Sequence, residues 1–373
     1  MKPNTTRIKM LDGLRGIAIL CVLLEHFGGT LAAPFDFGFY GVDLFFVLSG
    51  YLITDILLKM PNDDLWGNLR TFVARRTFRI FPMYYLTLAT LFFFNIDNTQ
   101  NHILPLATYA WNYFCFDGGP FYLWSLSVEE QFYLVWPLLV LTLRRHPRVL
   151  IPLTISFIVL SYCQIVFNFV PSLTPYNYTG LPNRMGSLCL GALGAIASFP
   201  KILPIYIQKS KTVEIIILVS ILWSMATLRN FIPRSIISGY AIPIASVASL
   251  LLICKCVQSS FAFVSLGRLL ENRSLCFLGT ISYGVYLIHY PLGNYFRSEI
   301  FGPLWHRLPF EALGPLSKLR WHSWILSFPM VVLLSVGFAS LTWFLIEKPI
   351  LEWKNQRIPS KRTTAEESDK GLR

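Results

Sequence analysis

The chain contains 373 residues, of which 54% are hydrophobic and only 14% are charged, and its net charge is +12. Soluble domains carry about 25% charged residues, so this composition excludes an ordinary globular protein with a water-facing surface. The basic residues lie at alternating ends of apolar stretches instead of on one continuous face. This distribution excludes the nucleic-acid partner that a basic chain otherwise indicates.

Apolar stretches of about 17–25 residues, the length that crosses a bilayer, recur along the chain. Arg15, Glu25 and His26 interrupt the first stretch, which favours a retained helix over a cleaved signal peptide. We therefore predict an all-α, polytopic transmembrane helix bundle of about ten spans. The predicted spans are residues 11–31, 41–58, 80–96, 123–143, 149–170, 183–199, 212–228, 235–254, 274–293 and 323–346.

The basic residues also predict the orientation of these spans. If the N-terminus is cytoplasmic, only seven of the 32 Lys and Arg lie on the outer side. They are Arg184, Arg229, Arg234, Arg297, Arg307, Lys318 and Arg320. This positive-inside bias places both the N- and C-termini in the cytoplasm.

Residues 1–354 are predicted to form one membrane domain, and the polar residues 355–373 a disordered cytoplasmic tail. The outer segments 97–122 and 294–322 are long enough to form a substrate mouth, and residues 258–273 a short helix at the inner interface. Most cysteines fall inside predicted spans without partners at metal-binding spacing, so we predict neither a disulfide framework nor a metal site.

The first span carries Arg15 and His26, and an ionisable side chain inside a span marks a functional site by default. Eleven residues separate them, which puts both on one helix face, about 16 Å apart along the axis. If Arg15 is considered by itself, snorkelling of its side chain to the inner interface explains its position in the span. The pair favours a polar pathway through the bundle, whereas Glu25 is turned about 100° away and contacts another group.

The second span begins GVDLFFVLSGYLIT, with Asp43 at its outer entrance and Ser49 and Gly50 near its middle. A carboxylate near a helix N-terminus complements the helix dipole, which gives Asp43 a structural explanation. Gly50 favours close helix packing over chemistry. By itself, this motif is a weak indication of function.

The predicted inner loop ends RRTFRIFPMYY, residues 75–85, which places Arg75, Arg76 and Arg79 just before the third span. Two interpretations are equally supported here. The arginines are ordinary positive-inside charge, or they hold a phosphorylated cofactor, because guanidinium forks match phosphate oxygens. The rings beside them, including Tyr84, suit a stacked base.

The fourth span contains Glu129 and Glu130 within YLWSLSVEEQFYLVWP. Adjacent helical residues point about 100° apart, so at least one carboxylate faces the bundle interior and meets a cation or a donor. On the predicted topology Glu129 and His26 lie at similar depth. A His–carboxylate pair at low dielectric is a general base, because the carboxylate orients the ring and supports its charged form. A structural ion pair is the alternative.

The ninth span contains GTISYGVYLIHYPL, with polar residues at three- and four-residue spacing on one stripe. The stripe consists of Ser282, Tyr283, Tyr286 and His289. An interfacial aromatic belt explains Tyr290 but not His289. Residues 347–349, Glu-Lys-Pro, are predicted to end the last helix at the inner surface.

In this order, the motifs resemble acyltransferase family 3, the membrane O-acyltransferases. The resemblance rests on LDGLRGIAILCVLLEHF, GVDLFFVLSGYLIT, RRTFRIFPMYY, WSLSVEEQFYLVWP, SYGVYLIH and the terminal EKP, between residues 11 and 349. Each motif is weak alone, whereas the ordered set is specific. The chain resembles a stand-alone form, without the fused soluble hydrolase-like domain that some members carry.

The resemblance implies a multi-pass enzyme of the bacterial cytoplasmic (inner) membrane. Such enzymes move an acyl group, often acetyl, from cytoplasmic acyl-CoA to a hydroxyl of a cell-surface or secreted carbohydrate. Lipopolysaccharide O-antigen, exopolysaccharide and lipid-linked glycans are typical acceptors. Membrane lipid and the glycan acceptor are therefore the expected partners, acyl-CoA is the expected co-substrate, and no metal is expected.

Roles follow from the motifs and the resemblance together. The predicted catalytic residues are His26, Glu129 and Arg15. The predicted CoA-binding residues are Arg75, Arg76, Arg79 and Tyr84, and the predicted acceptor-binding residues are Asp43, Glu130, Ser282, Tyr286 and His289. We expect His26, oriented or charged by Glu129, to remove a proton from the acceptor hydroxyl as its oxygen attacks the thioester. A covalent acyl-histidine is the alternative mechanism.

Two other classes of protein remain open. A secondary transporter would use the buried His, Glu and Arg as a proton relay. A non-catalytic scaffold would serve a polysaccharide assembly complex. The sequence contains no strong internal repeat, which weakens the transporter interpretation, and the ordered motif set weakens both.

Overall fold

A computed structural model describes residues 8–32, 34–61, 64–167, 178–198, 209–230 and 234–357, apart from the side chains of residues 227–230, 234–239, 313 and 321. Within these ranges the chain forms helices and connecting turns without strands, so the all-α prediction is confirmed. The helices in chain order are α1 (Lys9–Phe27), α2 (Phe37–Leu58), α3 (Leu65–Phe93), α4 (Ile103–Ala107), α5 (Trp124–Leu143), α6 (Pro147–Phe167), α7 (Leu181–Ile196), α8 (Lys211–Asn230), α9 (Arg234–Gln258), α10 (Val264–Leu270), α11 (Arg273–Thr280), α12 (Ser282–Tyr295), α13 (Gly302–His306), α14 (Trp324–Thr342) and α15 (Lys348–Arg357).

The chain divides into two compact units that are interleaved in sequence. The first comprises Met1–Phe45 and Pro200–Trp343, and the second comprises Phe46–Phe199 and Phe344–Arg373. In the first unit, α1 packs along α11 and α12, α8 packs against α9, and α12 packs against α14. In the second unit, α6 packs against α7, and α3 packs against α5 and α15.

Five described segments are long and apolar enough to cross a membrane: Phe37–Leu58, Phe121–Leu143, Pro147–Phe167, Tyr240–Gln258 and Trp324–Arg357. The number rises to seven if two bent pairs, Leu65–Phe93 with Ile96–Ala107 and Arg273–Thr280 with Ser282–His306, are each one span. Five of the ten predicted spans thus have a structural counterpart, and seven have one if each bent pair is a single span. The other three and the orientation of the termini stay predictions.

Physical reasons explain why two of these three predicted spans have no counterpart among the candidate membrane spans. The helix α1 contains four charged residues, Lys9, Asp12, Arg15 and Glu25. The helix α7 has only 16 residues, which is short for a bilayer core about 30 Å thick. The third, predicted over residues 212–228, extends into side chains outside the described part of the chain.

The structure corrects the prediction of a basic inner loop. Helix α3 already begins at Leu65, so Arg75, Arg76 and Arg79 lie on a helix. The Asp64 carboxylate accepts a hydrogen bond from the backbone N–H of Gly67 at 2.7 Å. This capping interaction starts the helix well before the apolar stretch, because it satisfies a backbone donor that the first turn leaves without a partner.

Two further boundaries differ from the prediction. The ninth predicted span is broken into α11 and α12, bent by 75°. The last helix does not end at residues 347–349, because a π-helical segment, Trp343–Glu347, leads directly into α15. Residues 355–357 are therefore helical, and the rest of the predicted tail lies outside the described residues. Helix α10 confirms the predicted short helix within 258–273, whereas its place at the interface stays a prediction.

Candidate active site

Two imidazoles face each other in the first unit. His26 lies near the C-terminal end of α1 and His289 lies on α12, with their ring centroids 5.2 Å apart. Tyr290 meets the His26 ring edge-on at 5.1 Å, and Phe27 meets the His289 ring edge-on at 6.3 Å. His289 is fully buried, and Tyr286 lies 5.5 Å from it. The structure thus brings His26, Tyr286 and His289 together, as three predicted site residues.

Glycines allow α1 to approach the helices that carry His289. A Cβ added at Gly279 of α11 would overlap the backbone oxygen of Asp12 in α1. A Cβ added at Gly293 of α12 would overlap the ring of Phe27. Small residues at these contacts let helix backbones pack closely, as in other membrane helix pairs. The opposed imidazoles depend on this close packing.

The hydrogen bonding of His289 defines its tautomer. Its Nδ1 lies 2.7 Å from the backbone oxygen of Tyr286. A carbonyl oxygen only accepts, so Nδ1 must carry the proton, which leaves Nε2 of a neutral ring as an acceptor. The bond fixes the orientation of the ring, and a ring held in this way is suited to positioning a neighbouring base.

Arg15 lies on the same helix as His26, one turn after an acidic partner. Its Nη1 is 3.0 Å from Oδ1 of Asp12. Glu25 contacts the backbone N–H of Gly38, 3.4 Å from its Oε2, in agreement with the prediction that it serves a different contact from His26. The predicted polar pathway between Arg15 and His26 stays a prediction.

Asp43 and Ser282, both predicted to bind the acceptor, have internal hydrogen bonds. Asp43 is completely buried, and its Oδ2 accepts a hydrogen bond from the Ser246 hydroxyl at 2.8 Å. The Ser282 hydroxyl donates to the backbone oxygen of Gly279 at 3.0 Å, at the break between α11 and α12. These bonds give both residues a structural role, and acceptor binding by either one stays a prediction.

The second unit holds a hydrogen-bonded network around Glu129. The Ser49 hydroxyl donates to Oε1 of Glu129 at 2.6 Å and lies 3.0 Å from the Tyr133 hydroxyl. Ser49 gives its single proton to the carboxylate, so Tyr133 is the donor in the second bond. The Arg76 guanidinium lies over the Tyr133 ring, 4.7 Å from its centroid. The network joins α2, α5 and α3.

A cluster of cations follows α3 and α15 in the same unit. Arg75, Arg76 and Arg79 all lie within electrostatic range of Lys354. Two acids accompany them: Glu130 interacts with Arg76, and Glu347 with Arg79. The Oε1 atom of Glu130 is buried and has no hydrogen-bond partner among the described residues. Four cations near one another favour binding of a polyanion such as a set of phosphates.

Tyr84 is placed differently from the exposed ring that a stacked base requires. It is 1% exposed, its ring stacks on Tyr109 at 4.3 Å, and its hydroxyl donates to the backbone oxygen of Leu106 at 2.8 Å. These contacts describe a packing role. The predicted contact between Tyr84 and CoA stays a prediction.

Sequence reasoning missed several members of these clusters. Lys354 lies at the boundary of the predicted tail, and no motif indicated it. The sequence predicts Tyr290 in an interfacial belt, whereas the structure places its ring against that of His26. Tyr133 follows Glu129 by four residues, the spacing that places two side chains on one helix face, and this signal was available. The predicted pair of His26 and Glu129 stays a prediction, since the two residues belong to different units.

The helices and the buried polar clusters define a multi-pass membrane protein with a candidate catalytic site. A family model described as an acyltransferase domain matches residues 8–343, and the chain therefore belongs to this acyltransferase family. No solved structure matches the chain significantly.

The chain is also similar to several curated relatives. It is 30% identical to a peptidoglycan O-acetyltransferase of Listeria monocytogenes, covering 76% of this chain and 49% of the relative. It is 31% identical to a putative peptidoglycan O-acetyltransferase of Bacillus subtilis, covering 91% and 54%. A putative O-acetyltransferase of Staphylococcus aureus is 27% identical, with coverage of 94% and 59%. The chain thus spans about half the length of these relatives.

Proposed function

We propose that this protein is an O-acetyltransferase that moves an acetyl group from cytoplasmic acyl-CoA to a hydroxyl of a carbohydrate at the bacterial cell surface. The observation that supports this most directly is the facing pair His26 and His289, enclosed by aromatic rings. Family membership and the names of the relatives support the reaction class. We place the protein in the cytoplasmic membrane of a bacterium, with peptidoglycan or another glycan as the acceptor.

His26 is the general base in this proposal. It takes the proton of the acceptor hydroxyl while that oxygen bonds to the thioester carbonyl carbon. When the tetrahedral intermediate collapses, the carbon–sulfur bond breaks and the CoA thiolate takes up the proton held by His26. His289, fixed by its bond to Tyr286, positions the His26 ring. An acyl-histidine intermediate is the rival, and rapid-quench isolation of acylated protein without acceptor would favour it.

The cation cluster of the second unit is the proposed site for the CoA phosphates. Its members are Arg75, Arg76, Arg79 and Lys354. Arg79 is exposed, and Arg75 and Arg76 are partly exposed, so their guanidinium groups are accessible. Guanidinium groups form paired, charge-assisted hydrogen bonds with phosphate oxygens. The arginines lie on helix α3 and not in the predicted loop, so the proposal places the phosphates against this helix.

The test uses purified protein in lipid nanodiscs with labelled acetyl-CoA and a glycan acceptor. Wild type is expected to transfer label to the glycan, and His26→Ala to lower the rate by about 10²–10⁴-fold, the usual contribution of a general base. His146→Ala, which alters an exposed histidine, is the control and is expected to keep wild-type activity. Near-normal transfer by His26→Ala would remove His26 from the mechanism.

The same preparation distinguishes the transporter from the enzyme. Reconstituted into proteoliposomes, a transporter would move substrate or protons across the membrane without transferring label. Transfer of label to the glycan supports the acetyltransferase, and flux without transfer would support the alternative. A scaffold would show neither.

A further inference from the structure

A cavity of about 420 Å³ lies in the first unit, immediately after the helix that carries His289. Its wall is formed by the end of α12, the π-helical segment Phe296–Phe301, α13 and the segment that precedes α14. The lining residues are Asn294, Arg297, Ser298, Phe301, Gly302, Trp305, His306, Arg320 and Ser323. This volume accommodates a sugar unit or a small ligand of comparable size.

Contacts connect the cavity to the imidazole pair. The guanidinium of Arg297, which lines the cavity, lies 5.8 Å from the centroid of the Phe27 ring. Phe27 in turn follows His26 directly and meets the ring of His289. The cavity therefore begins one aromatic ring away from the proposed base. It lies beyond the C-terminal end of α1, whereas Arg15 lies toward the other end, about 16 Å before His26.

The lining combines cationic groups with aromatic rings. Arg297 and Arg320 supply guanidinium groups and His306 an imidazole, and none of the described lining residues is acidic. Among the described residues Arg320 forms an ion pair with Glu311, but their charged atoms are 3.8 Å apart and Glu311 is highly exposed. Such an exposed, long contact is worth little and leaves Arg320 able to exchange partners.

The aromatic part of the lining is held rigidly. Phe301 and Trp305 stack with their ring centroids 5.4 Å apart, and the Trp305 indole donates to the backbone oxygen of Arg320 at 3.1 Å. Aromatic faces pack against the apolar C–H faces of sugars, while Asn294 and Ser298 offer polar groups to hydroxyls. The π-helical segment is itself unusual, because such turns are rare and occur frequently at functional sites.

From these observations we propose that this cavity is the acceptor subsite, and that it binds a sugar unit carrying an anionic group. The inference rests on the proposed acetyltransferase function. Arg297 and Arg320 hold the anion, and Phe301, which is partly exposed and stacks on the buried Trp305, supports the sugar ring. The acceptor hydroxyl is thereby delivered toward His26 past Phe27. The same two guanidinium groups can bind a carboxylate or a phosphate. The test therefore distinguishes an acceptor that carries a carboxylate from one that carries a phosphate.

The experiment compares three acceptors in the nanodisc transfer assay. The first is a hexasaccharide of alternating N-acetylglucosamine and N-acetylmuramic acid, whose lactyl groups are carboxylates. The second is its neutral methyl ester, and the third is the ester with a phosphate at the reducing end. Wild type is expected to show a KM at least tenfold lower for the acid than for the ester. A low KM for the third acceptor instead would assign the anion to phosphate.

Arg297→Gln and Arg320→Gln are expected to raise the KM for the preferred anionic acceptor toward that of the ester, at least tenfold for both changes together. The KM for acetyl-CoA is expected to stay within twofold of wild type, which separates acceptor binding from binding of the acyl donor. Arg307→Gln, an exposed arginine of the same segment outside the lining, is the matched control and is expected to change nothing. Equal KM values for all three acceptors in wild type would overturn the inference.

Binding of the fluorescently labelled hexasaccharide acid to the His26→Ala variant separates this inference from the proposed function. If the acid binds more tightly than the ester and Arg297→Gln removes the difference, the subsite stands even when wild type transfers no label. If transfer occurs while neither arginine affects acceptor binding, the function stands and the subsite is wrong. A variant that loses its thermal transition is replaced by Arg297→Lys, which keeps the charge but not the paired hydrogen bonds.

Discussion

The two histidines of the candidate site have different surroundings and therefore different proposed tasks. His289 is fully buried and bonded through Nδ1 to a backbone oxygen. His26 is partly exposed and is surrounded by the rings of His289 and Tyr290. A base must reach its substrate, so the more accessible imidazole is the better candidate for proton transfer. The buried one is the better candidate for holding its neighbour in place.

The cation cluster of Arg75, Arg76, Arg79 and Lys354 predicts a selective effect on acyl-CoA binding. We expect Arg75→Ala combined with Arg76→Ala to raise the KM for acetyl-CoA tenfold or more, because each lost charge-assisted hydrogen bond costs about 1.5–3 kcal/mol. Lys354→Gln is also expected to raise the KM for acetyl-CoA, and it leaves the contact between Arg76 and the Tyr133 ring intact. Initial rates at varied acetyl-CoA concentration provide the measurement.

Arg70→Ala is the matched control for these variants, because Arg70 is exposed on the same helix and has no place in the cluster. It is expected to leave the KM for acetyl-CoA within twofold of wild type. If the double variant binds acetyl-CoA as well as Arg70→Ala does, the cluster is a topological signal and not a CoA site.

Among the elements, glycine contacts set how closely helices approach in the second unit. A Cβ at Gly191 of α7 would overlap the backbone oxygen of Val47 in α2, and one at Gly50 of α2 would overlap that of Leu188 in α7. The two glycines thus face the partner backbone from opposite sides. This reciprocal arrangement bears out the packing role predicted for Gly50.

We therefore expect Gly191→Val to destabilise the protein by about 1–3 kcal/mol, since an overpacked contact forces backbones apart. The thermal midpoint in detergent is expected to fall accordingly. Gly337→Val on α14 is the control, because no atom lies within 4 Å of a Cβ built there. Equal thermal midpoints for the two variants would show that α2 and α7 accommodate the larger side chain without loss of stability.

A buried ion pair joins three elements of the first unit. Lys255 of α9 and Glu214 of α8 are 3% and 2% exposed, with Nζ and Oε1 2.9 Å apart. The same carboxylate accepts hydrogen bonds from the backbone N–H groups of Ala262 and Phe263, at 2.7 and 2.9 Å. It therefore connects the ends of α8 and α9 with the turn that precedes α10.

Glu214→Gln is expected to destabilise the protein by about 3–5 kcal/mol, because it removes the carboxylate that faces the buried ammonium of Lys255. Glu214→Gln combined with Lys255→Met is expected to be less destabilised than Glu214→Gln alone. Asp55→Asn breaks the exposed pair with Lys59 and is expected to cost less than about 1 kcal/mol. Thermal unfolding of the three variants in detergent measures the ranking, and a double variant no more stable than the single one would contradict it.

Hydropathy predicted the elements best where a helix is mostly apolar over its whole length, as in α2, α5 and α6. It missed the start of α3, because Arg70, Arg75 and Arg76 make that stretch polar although the backbone is helical and capped by Asp64. It also missed the bend at Ile281, since no proline marks the break and Pro291 lies inside an intact helix. Hydropathy reports which segments meet lipid, whereas caps and bends depend on local hydrogen bonds.

For the candidate site, the residue types were predictable but their neighbours were not. His26 and His289 stand out because each is ionisable within an apolar stretch. Their contact joins positions far apart in the chain, and spacing along one helix carries no information about it. The same holds for Ser49 and Glu129, whose 2.6 Å hydrogen bond links α2 to α5.

On the scale of the whole molecule, the distribution of charge predicts which segments face the cytoplasm. Lys59, after α2, belongs to a predicted inner segment, and Glu299, beside the proposed acceptor cavity, belongs to a predicted outer one. Both side chains are exposed, so a cysteine at either position is accessible to reagents. Of the seven native cysteines only Cys163 and Cys276 are not buried, and replacing these two with serine lowers the background.

In that background, a membrane-impermeant maleimide is expected to label Glu299→Cys in intact cells and Lys59→Cys only after the membrane is opened. The physical reason is that translocating the segments with many Lys and Arg is disfavoured, which keeps Lys59 inside. The proposed chemistry requires this result, because acyl-CoA is cytoplasmic while a cell-surface glycan is not. Labelling of Lys59→Cys but not Glu299→Cys in intact cells would invert the orientation and place the acceptor cavity on the cytoplasmic side, where a surface glycan does not reach it.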